Sequence, residues 1–445
     1  MKEDNISAIS TGLSVGGVAV IRISGPDPED IAKKMFKPTG NIAVSDFEPN
    51  KMYTGEILCD GFTDFGLCVF FRAPKSFTGE NVIEFHCHGG RAIAKGVLKK
   101  VLSLGARLAD KGEFTRRAFL NGKLSLSSCE GLIDMINSET ESGVKAGYYL
   151  YREKLTKEVN YLQDRLTDAV AEIDVDMDYP EEDLEVSSRE HAKVILSEVV
   201  GKIDNLLSTF RTGRIIKDGV KVGIVGKPNT GKSSLLNALL NYDKAIVSDV
   251  AGTTRDVVEG AIDINGVRFN FSDTAGIRDS EDGVEKIGVS LSKKILLESD
   301  VILFVIDGSE ITEEDDEIYK LLTGKNFITV VNKSDKEIVK DERADVIVSA
   351  KNKDNIDAVR DLLFDKSIGK NFDLNGDFLC EERHYLALNK ARTKLYDGLQ
   401  NVDALPLDLL EIDVKAGWDA LGEITGKTAS EEIIDNIFNR FCVGK

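Results

Sequence analysis

The 445-residue sequence predicts a multidomain chain of mixed α/β and α+β class: an α+β amino-terminal domain, a helical bundle, and a doubly wound α/β domain inserted into that bundle. Three observations lead there. The apolar run Val220 to Val225 precedes Gly226-Lys227-Pro228-Asn229-Thr230-Gly231-Lys232-Ser233, and the helix-forming Ser234 to Leu240 follows, giving the strand, glycine turn and helix of a phosphate-binding loop. Apolar residues at helical spacing (Leu155, Val159, Leu162, Leu166, Val170 and Ile173) mark a long amphipathic helix before that loop, and helical text resumes from about 381 to 441. Residues 1 to about 120 instead mix β-rich runs (Gly17 to Ile23, Leu67 to Phe71, Asn81 to Phe85) with a helical run from Ile93 to Leu104.

The boundaries that follow are an α+β domain over 1–120, a first helical half over 121–217, the inserted α/β domain over 218–370, and a second helical half over 371–445. Both helical flanks carry apolar stripes that need partners, which one bundle interrupted by an insertion supplies. Asp178-Tyr179-Pro180-Glu181-Glu182 reads as a turn between helices. Asn265-Gly266, between Ala261 to Ile264 and Val267 to Phe269, reads as a tight hairpin at the antiparallel edge of the inserted sheet.

Formal charge is −19 and no basic run stands out, which argues against a polybasic nucleic-acid module. The start Met1-Lys2-Glu3-Asp4-Asn5 lacks the form of a signal peptide and no stretch approaches 18 apolar residues, so the expected location is cytoplasmic, with no membrane partner. Six scattered cysteines (Cys59, Cys68, Cys87, Cys129, Cys380, Cys442) show no C-x-x-C spacing, and disulfides are not expected. His86-Cys87-His88 invites a metal reading. On a strand, however, the two histidines share one face and the cysteine takes the other, so a structural or small-ligand role competes with zinc.

The chemistry begins at the glycine loop. Gly226 and Gly231 let the backbone turn so that successive N–H groups, including those of Asn229 and Thr230, point at phosphate oxygens, and Ser233 and Ser234 open a helix whose dipole favours the anion. Lys232 suits the β- and γ-phosphates, and Ser233 suits Mg²⁺. Asp273-Thr274-Ala275-Gly276 ends the next strand, where an acid can hold Mg²⁺ through water and a glycine can meet the γ-phosphate. Asn332-Lys333-Ser334-Asp335 follows another apolar run, and the Asp335 carboxylate can accept both N1–H and 2-amino donors of guanine. Ser349-Ala350-Lys351 suits the loop that offers a backbone N–H to the guanine oxygen. Order and spacing together indicate GTP.

The chain resembles the MnmE, or TrmE, family of tRNA-modification GTPases over nearly its whole length. The resemblance rests on Arg22-Ile23-Ser24-Gly25, Ser76-Phe77-Thr78-Gly79-Glu80, His88-Gly89-Gly90, Gly112 to Leu124, the GTPase block, and the terminal Phe441-Cys442-Val443-Gly444-Lys445, where Val443 replaces a more usual isoleucine or leucine. It implies an amino-terminal domain that binds 5-formyltetrahydrofolate or a related tetrahydrofolate and forms a homodimer, and a helical domain carrying a Ras-like G domain that dimerises. It also implies a flavoprotein partner, MnmG or GidA, in a heterotetramer or larger complex that installs an aminomethyl-type group at C5 of the wobble uridine of tRNA.

In the Ras class a glutamine after the switch-II glycine orients water, but here Gly276 is followed by Ile277, so other groups must act. Asn229, with carbonyls from Ser248-Asp249-Val250-Ala251-Gly252-Thr253, can coordinate a monovalent cation such as K⁺ where an arginine finger would sit. The resemblance assigns that role to Asn229, with Ser248, Val250 and Thr253 as its companions. It also assigns Thr254 to Mg²⁺ beside Ser233, Arg255 and Asp256 to a switch-I functional pair, and Glu285 to orienting water. Read from the residues alone, Glu285 is an ordinary solvated acid on the charged segment Asp279 to Glu285, and only the resemblance puts the catalytic reading ahead. By the same resemblance Arg22, Glu84, Lys123 and Lys445 are folate positions, although each alone also reads as a surface charge. Cys442 is implied in tRNA modification as a nucleophile, a ligand or a shape requirement. A GTPase switch of the ribosome-assembly or RNA-chaperone type is the alternative, but such a factor adds a compact RNA-binding domain in place of the folate-like block and the terminal Cys-x-Gly-Lys.

Overall fold

The computed structural model describes residues 4–12, 14–178, 185–241, 260–273, 297–339, 341–369 and 377–445, with the side chains of 185–187 and 273 outside that set. The chain forms two compact units: Met1–Ile136 with Gly147–Ile203 and Leu386–Lys445, and Asn137–Ala146 with Asp204–Tyr385.

The first unit is built on a seven-stranded sheet of order β3-β4-β5-β6-β2-β1-β7. Its strands are β1 (Ile6–Ile9), β2 (Val18–Gly25), β3 (Phe36–Pro38), β4 (Met52–Cys59), β5 (Phe62–Phe71), β6 (Asn81–His88) and β7 (Arg107–Leu108). All neighbours are antiparallel except β1 and β7. Residue alternation on β2 and β6 decides which face is buried. Ala19, Ile21, Ile23, Ile83, Phe85 and Cys87 pack with Ala94, Val97 and Val101 of the helix Arg91–Ser103 and with Ile31, Ala32 and Met35 of the helix Pro28–Met35. Arg22, Glu84 and His86 are thereby placed on the opposite face. The helix predicted from Ile93 to Leu104 begins two residues earlier, at Arg91.

Helices make up the rest of this unit. The helix Lys154–Asp178 buries Leu155, Val159, Leu162, Leu166 and Ile173, as its periodicity predicts, and Gln163 Nε2 donates to Trp418 O of the helix Leu407–Thr425 at 3.0 Å. Near the carboxyl end, Ile437, Phe438 and Phe441 close a core with Leu126, Cys129 and Ile133. The tail then reaches the sheet. Val443 bridges Lys111, and Gly444, at φ +99°, approaches so closely that a Cβ there would lie 2.3 Å from Ile9 O.

A polar cluster sits beside that sheet. Arg117, with a side chain 7% exposed, donates to Asp4 Oδ1 at 2.7 Å, Glu113 Oε1 at 3.1 Å and Glu80 Oε1 at 3.2 Å, while Glu80 also accepts from Ser24 Oγ at 2.7 Å. Burial pushes the Glu113 carboxyl up, but Arg107, the Asp110 N–H and Arg117 outweigh it and hold the group below its ordinary value of 4.5. A carboxyl lowered by folding contributes stability above its unfolded pKa and loses it as pH falls through the folded one. Arg117→Met should therefore destabilise this unit by about 3 kcal/mol near neutrality, because three carboxylates lose one buried partner. Thermal melts should show the wild-type advantage complete above pH 4.5 and shrinking below it, and an Arg117→Met melt equal to wild type at pH 7 would remove the cluster from the stability of the fold.

The second unit holds a six-stranded sheet of order β13-β12-β11-β8-β10-β9. Its strands are β8 (Val220–Val225), β9 (Gly260–Ile264), β10 (Val267–Asp273), β11 (Val301–Asp307), β12 (Phe327–Asn332) and β13 (Val346–Ile347). Every pairing is parallel except the β9–β10 hairpin, where Asn265 at φ +53° and Gly266 at φ +82° make the tight turn predicted for them. Helices Lys232–Leu240 and Ile356–Ser367 cover one face through Leu235, Leu236, Val359 and Leu363, and the helix Glu313–Leu322 covers the other through Leu322. Helices on both faces of a mostly parallel sheet make this the doubly wound fold expected from the sequence.

Candidate functional site

The carboxyl ends of β8, β11 and β12 meet at the glycine loop, the usual ligand edge of such a sheet. Gly226 stands at φ +151° against β11, and a Cβ there would lie 2.2 Å from Val305 O. Gly231, at φ +94°, caps the helix Lys232–Leu240, and a Cβ there would lie 2.3 Å from Asn332 Nδ2. Only glycine fits either position. Asn229 takes a left-handed conformation at φ +63° and is exposed, as are Ser233 and Ser234.

Two side chains of the Asn332-Lys333-Ser334-Asp335 segment clamp this loop from outside. Asn332, buried at the end of β12, donates Nδ2 to Thr230 O at 2.9 Å and accepts the Ala350 N–H at 3.0 Å. Lys333 Nζ donates to Asn229 O at 2.7 Å and pairs with Asp307 Oδ2 at 2.6 Å. Burial pushes the Asp307 carboxyl up, but Lys333 and Ser309 outweigh it and lower its pKa. Lys232 Nζ donates to Gly226 O at 2.9 Å and Lys227 O at 2.7 Å. On the far side, exposed Asp335 accepts the Ser349 hydroxyl at 2.8 Å, a bond that lowers its pKa and holds one carboxylate oxygen in place. Ala350 is buried and Lys351 exposed beside it. The structure thus brings together three of the predicted sequence blocks of the site: 226–234, 332–335 and 349–351.

Asp273 ends β10, parallel to β8 with Asp273 opposite Ile224. Thr274, Ala275, Gly276, Ile277 and Glu285 lie outside the described residues, as do Ser248, Asp249, Val250, Ala251, Gly252, Thr253, Thr254, Arg255 and Asp256. Asp307 and Lys227 also support the loop through their contacts, and sequence reading passed both over. Asp307 ends an apolar strand before Gly308, a weak signal, whereas the partners of Lys227 lie more than 80 residues away.

In the first unit Arg22 and Glu84 face each other in the β2–β6 register, and Arg22 Nε donates to Glu84 Oε1 at 2.7 Å. The guanidinium lies 5.6 Å and 5.7 Å from the ring centroids of Phe77 and Phe114. His86 Nε2 is 3.2 Å from the other Glu84 oxygen. Burial pushes the Glu84 carboxyl up, but His86 and Arg22 outweigh it and keep its pKa low. Lys123 Nζ donates to Pro74 O at 3.1 Å, in the same loop as Phe77. Lys445 follows Gly444 at the end of β1, and Cys442 is exposed, with its carbonyl accepting the Gly112 N–H at 3.5 Å. The two histidines of the His-Cys-His run go separate ways, His86 to Glu84 and His88 Nδ1 to Asp64 at 2.7 Å. Among the described residues no group of three His, Cys, Asp or Glu could hold a metal ion, and no helix is long and apolar enough to cross a membrane.

Residues 126–442 match the family model of the MnmE helical domain, and residues 5–123 match that of the GTP-binding protein TrmE N-terminus. The chain is 39% identical over 460 residues to the tRNA modification GTPase MnmE of Natranaerobius thermophilus, covering 100% of both chains. It is 38% identical over 459 residues to that of Clostridioides difficile, covering 100% of this chain and 99% of the relative. Among solved structures, a point variant of Aquifex aeolicus Era bound to GDP.AlF4- is 32% identical over 39% of this chain and 66% of that one, with a TM-score of 0.27. Full-length relatives and two family models that together span residues 5–442 agree, and the chain belongs to the family of tRNA modification GTPases named MnmE.

Proposed function

We propose that this GTP hydrolase couples its nucleotide state to folate-dependent modification at C5 of the wobble uridine of tRNA, as a cytoplasmic homodimer working with an MnmG-type flavoprotein. The observation that carries the reading is the presence, in one chain, of a clamped phosphate loop with its base-binding segments and of a paired Arg22–Glu84 site on the amino-terminal sheet. The domain division at 120, 217 and 370 belongs to the same reading.

In the G domain, Lys232 and the loop N–H groups bind the phosphates, and Asp335, with one oxygen set by Ser349, takes the two adjacent donors of guanine. Ser233, on the first turn of its helix, and Thr254 would hold Mg²⁺, which supplies charge neutralisation. Asn229 offers a neutral oxygen beside the phosphates, suited to K⁺, with Ser248, Val250 and Thr253 completing the set. Glu285 orients water, and Arg255 and Asp256 complete switch I. On the amino-terminal sheet Glu84 suits the N–H and NH₂ donors of a pterin, while Arg22, Lys123 and Lys445 suit its carboxylate tail.

Hydrolysis should depend on the monovalent cation, with K⁺ stimulating strongly and Na⁺ weakly at fixed ionic strength. Equal rates in the two salts, or an Asn229→Ala variant that keeps its K⁺ response, would count against the cation site. Asp335→Asn should shift preference from guanine to xanthine nucleotides, because an amide can donate to the xanthine 2-oxo group. Affinities for GTP and XTP measure this, and an unchanged GTP preference would move guanine recognition elsewhere. Cys442→Ser should keep the GTPase rate and folate affinity while losing tRNA modification in a reconstitution with flavoprotein, tRNA, folate and GTP, read by nucleoside analysis. Lost folate affinity would point to packing instead, and wild-type modification would remove the thiol from the mechanism.

A further inference from the structure

The phosphate loop carries a second lysine whose ammonium points away from the nucleotide side and into the fold. Lys227 has a side chain 11% exposed, and its Nζ lies 2.7 Å from Asp315 Oδ2, 2.8 Å from Thr312 Oγ1 and 3.3 Å from Glu310 O. Asp315 is completely buried, and the same Oδ2 accepts the Thr312 N–H at 2.9 Å, closing the capping box of the helix Glu313–Leu322. A cation at a helix N-terminus is unfavourable by the helix dipole, and burying it adds a desolvation cost. The buried carboxylate offsets both, which separates this contact from a screened surface ion pair.

The backbone of Lys227 is equally engaged. Its carbonyl accepts Lys232 Nζ at 2.7 Å and Thr230 Oγ1 at 3.1 Å, and Pro228 and the left-handed Asn229 follow it directly. One residue is therefore anchored through its side chain to a helix across the sheet edge, while its main chain sets two residues of the loop.

We propose that Lys227 and Asp315 form a positioning couple that fixes the first turn of the phosphate loop, so that Lys232 and the loop N–H groups meet the GTP phosphates in reactive geometry. The inference rests on reading 226–233 as the phosphate site and adds residues to it. In that reading neither side chain is assigned to a phosphate, since both are engaged with each other at the start of the helix Glu313–Leu322.

The test compares full-length Lys227→Met, Lys227→Arg, Asp315→Asn and the Lys227→Met/Asp315→Asn double variant in GTP hydrolysis and thermal melting, with Lys232→Ala as control. Asp315→Asn keeps an oxygen for the Thr312 N–H, so the cap survives while the ion pair does not. The expected result, read well below each variant's melting temperature, is a fall in kcat of about tenfold in Lys227→Met and in Asp315→Asn, with KM changed by less than about threefold, near-normal turnover in Lys227→Arg, and a double variant about as slow as either single, although Lys227→Met, which leaves the buried Asp315 carboxylate alone, should melt lower than the double variant. Wild-type kcat in Lys227→Met overturns the couple. Losses that multiply to about a hundredfold in the double variant also overturn it, because independent sites add in free energy. So does a kcat that recovers in the double variant together with its melting temperature, because the loss then follows stability rather than loop position. A Lys232→Ala variant that still binds and hydrolyses GTP would instead overturn the phosphate-site reading itself.

Discussion

The glycine loop can take its shape only because Gly226 carries no side chain where the main chain of β11 comes closest, a Cβ there falling 2.2 Å from Val305 O. That approach follows from the parallel pairing of β8 with β11, which sets Val225 opposite Phe304 and brings the loop over Val305 O. The loop's own carbonyls would then be left without partners, and buried main-chain groups need them. Asn332 supplies a donor to Thr230 O, Lys333 one to Asn229 O, and Lys232 donors to Gly226 O and Lys227 O. A site assembled this way is preorganised by its sheet, since the strands that carry β12's clamp and the loop itself belong to one hydrogen-bonded ladder through β11.

The first unit solves a different problem with the same means. Strand alternation puts charged residues on one face of β2 and β6 and an apolar core on the other, so Arg22 and Glu84 become neighbours without any local sequence signal. Glu80 is held by Arg117 and Ser24, which ties the Ser76–Glu80 turn to the strand that carries Arg22. The tail follows from packing at Gly112, where φ is +65° and a Cβ would lie 2.6 Å from Phe438 O. Only glycine permits the carboxyl-terminal helix to end there and Val443 to bridge Lys111.

What the sequence made legible was local. The phosphate loop, the Asn265-Gly266 hairpin and the stripe of Leu155 to Ile173 each place their information within a few turns of chain, and each stands where it was read. The strand β4 was not legible: Met52-Tyr53-Thr54-Gly55-Glu56-Ile57-Leu58-Cys59 carries a glycine and an exposed acid, and Gly55 is there because a Cβ would lie 2.4 Å from Lys37 O of the neighbouring β3. Edge strands of two or three residues such as β3 and β7 carry too little pattern to read. The contacts that clamp the loop were hidden for another reason, since Lys227 and Thr312 are 85 residues apart and Lys333 and Asn229 are 104 apart.

Glu84 shows what such long-range pairing would ask of the folate proposed for this face. Its carboxylate is shared between Arg22 and His86 and remains ionised, because those partners outweigh the burial that would neutralise it. A ligand offering only donors to Glu84 would displace the Arg22 guanidinium and leave that charge partly buried, with the faces of Phe77 and Phe114 as its remaining compensation. A ligand that carries adjacent N–H donors and, separately, an acceptor of negative charge replaces both halves of the pair and strands neither. In the proposed folate reading, selectivity at this face would come from the cost of leaving one member of the pair without a partner, a cost that grows with burial, and with side-chain exposures of 22% for Arg22 and 13% for Glu84 the pair is sheltered enough for that cost to matter.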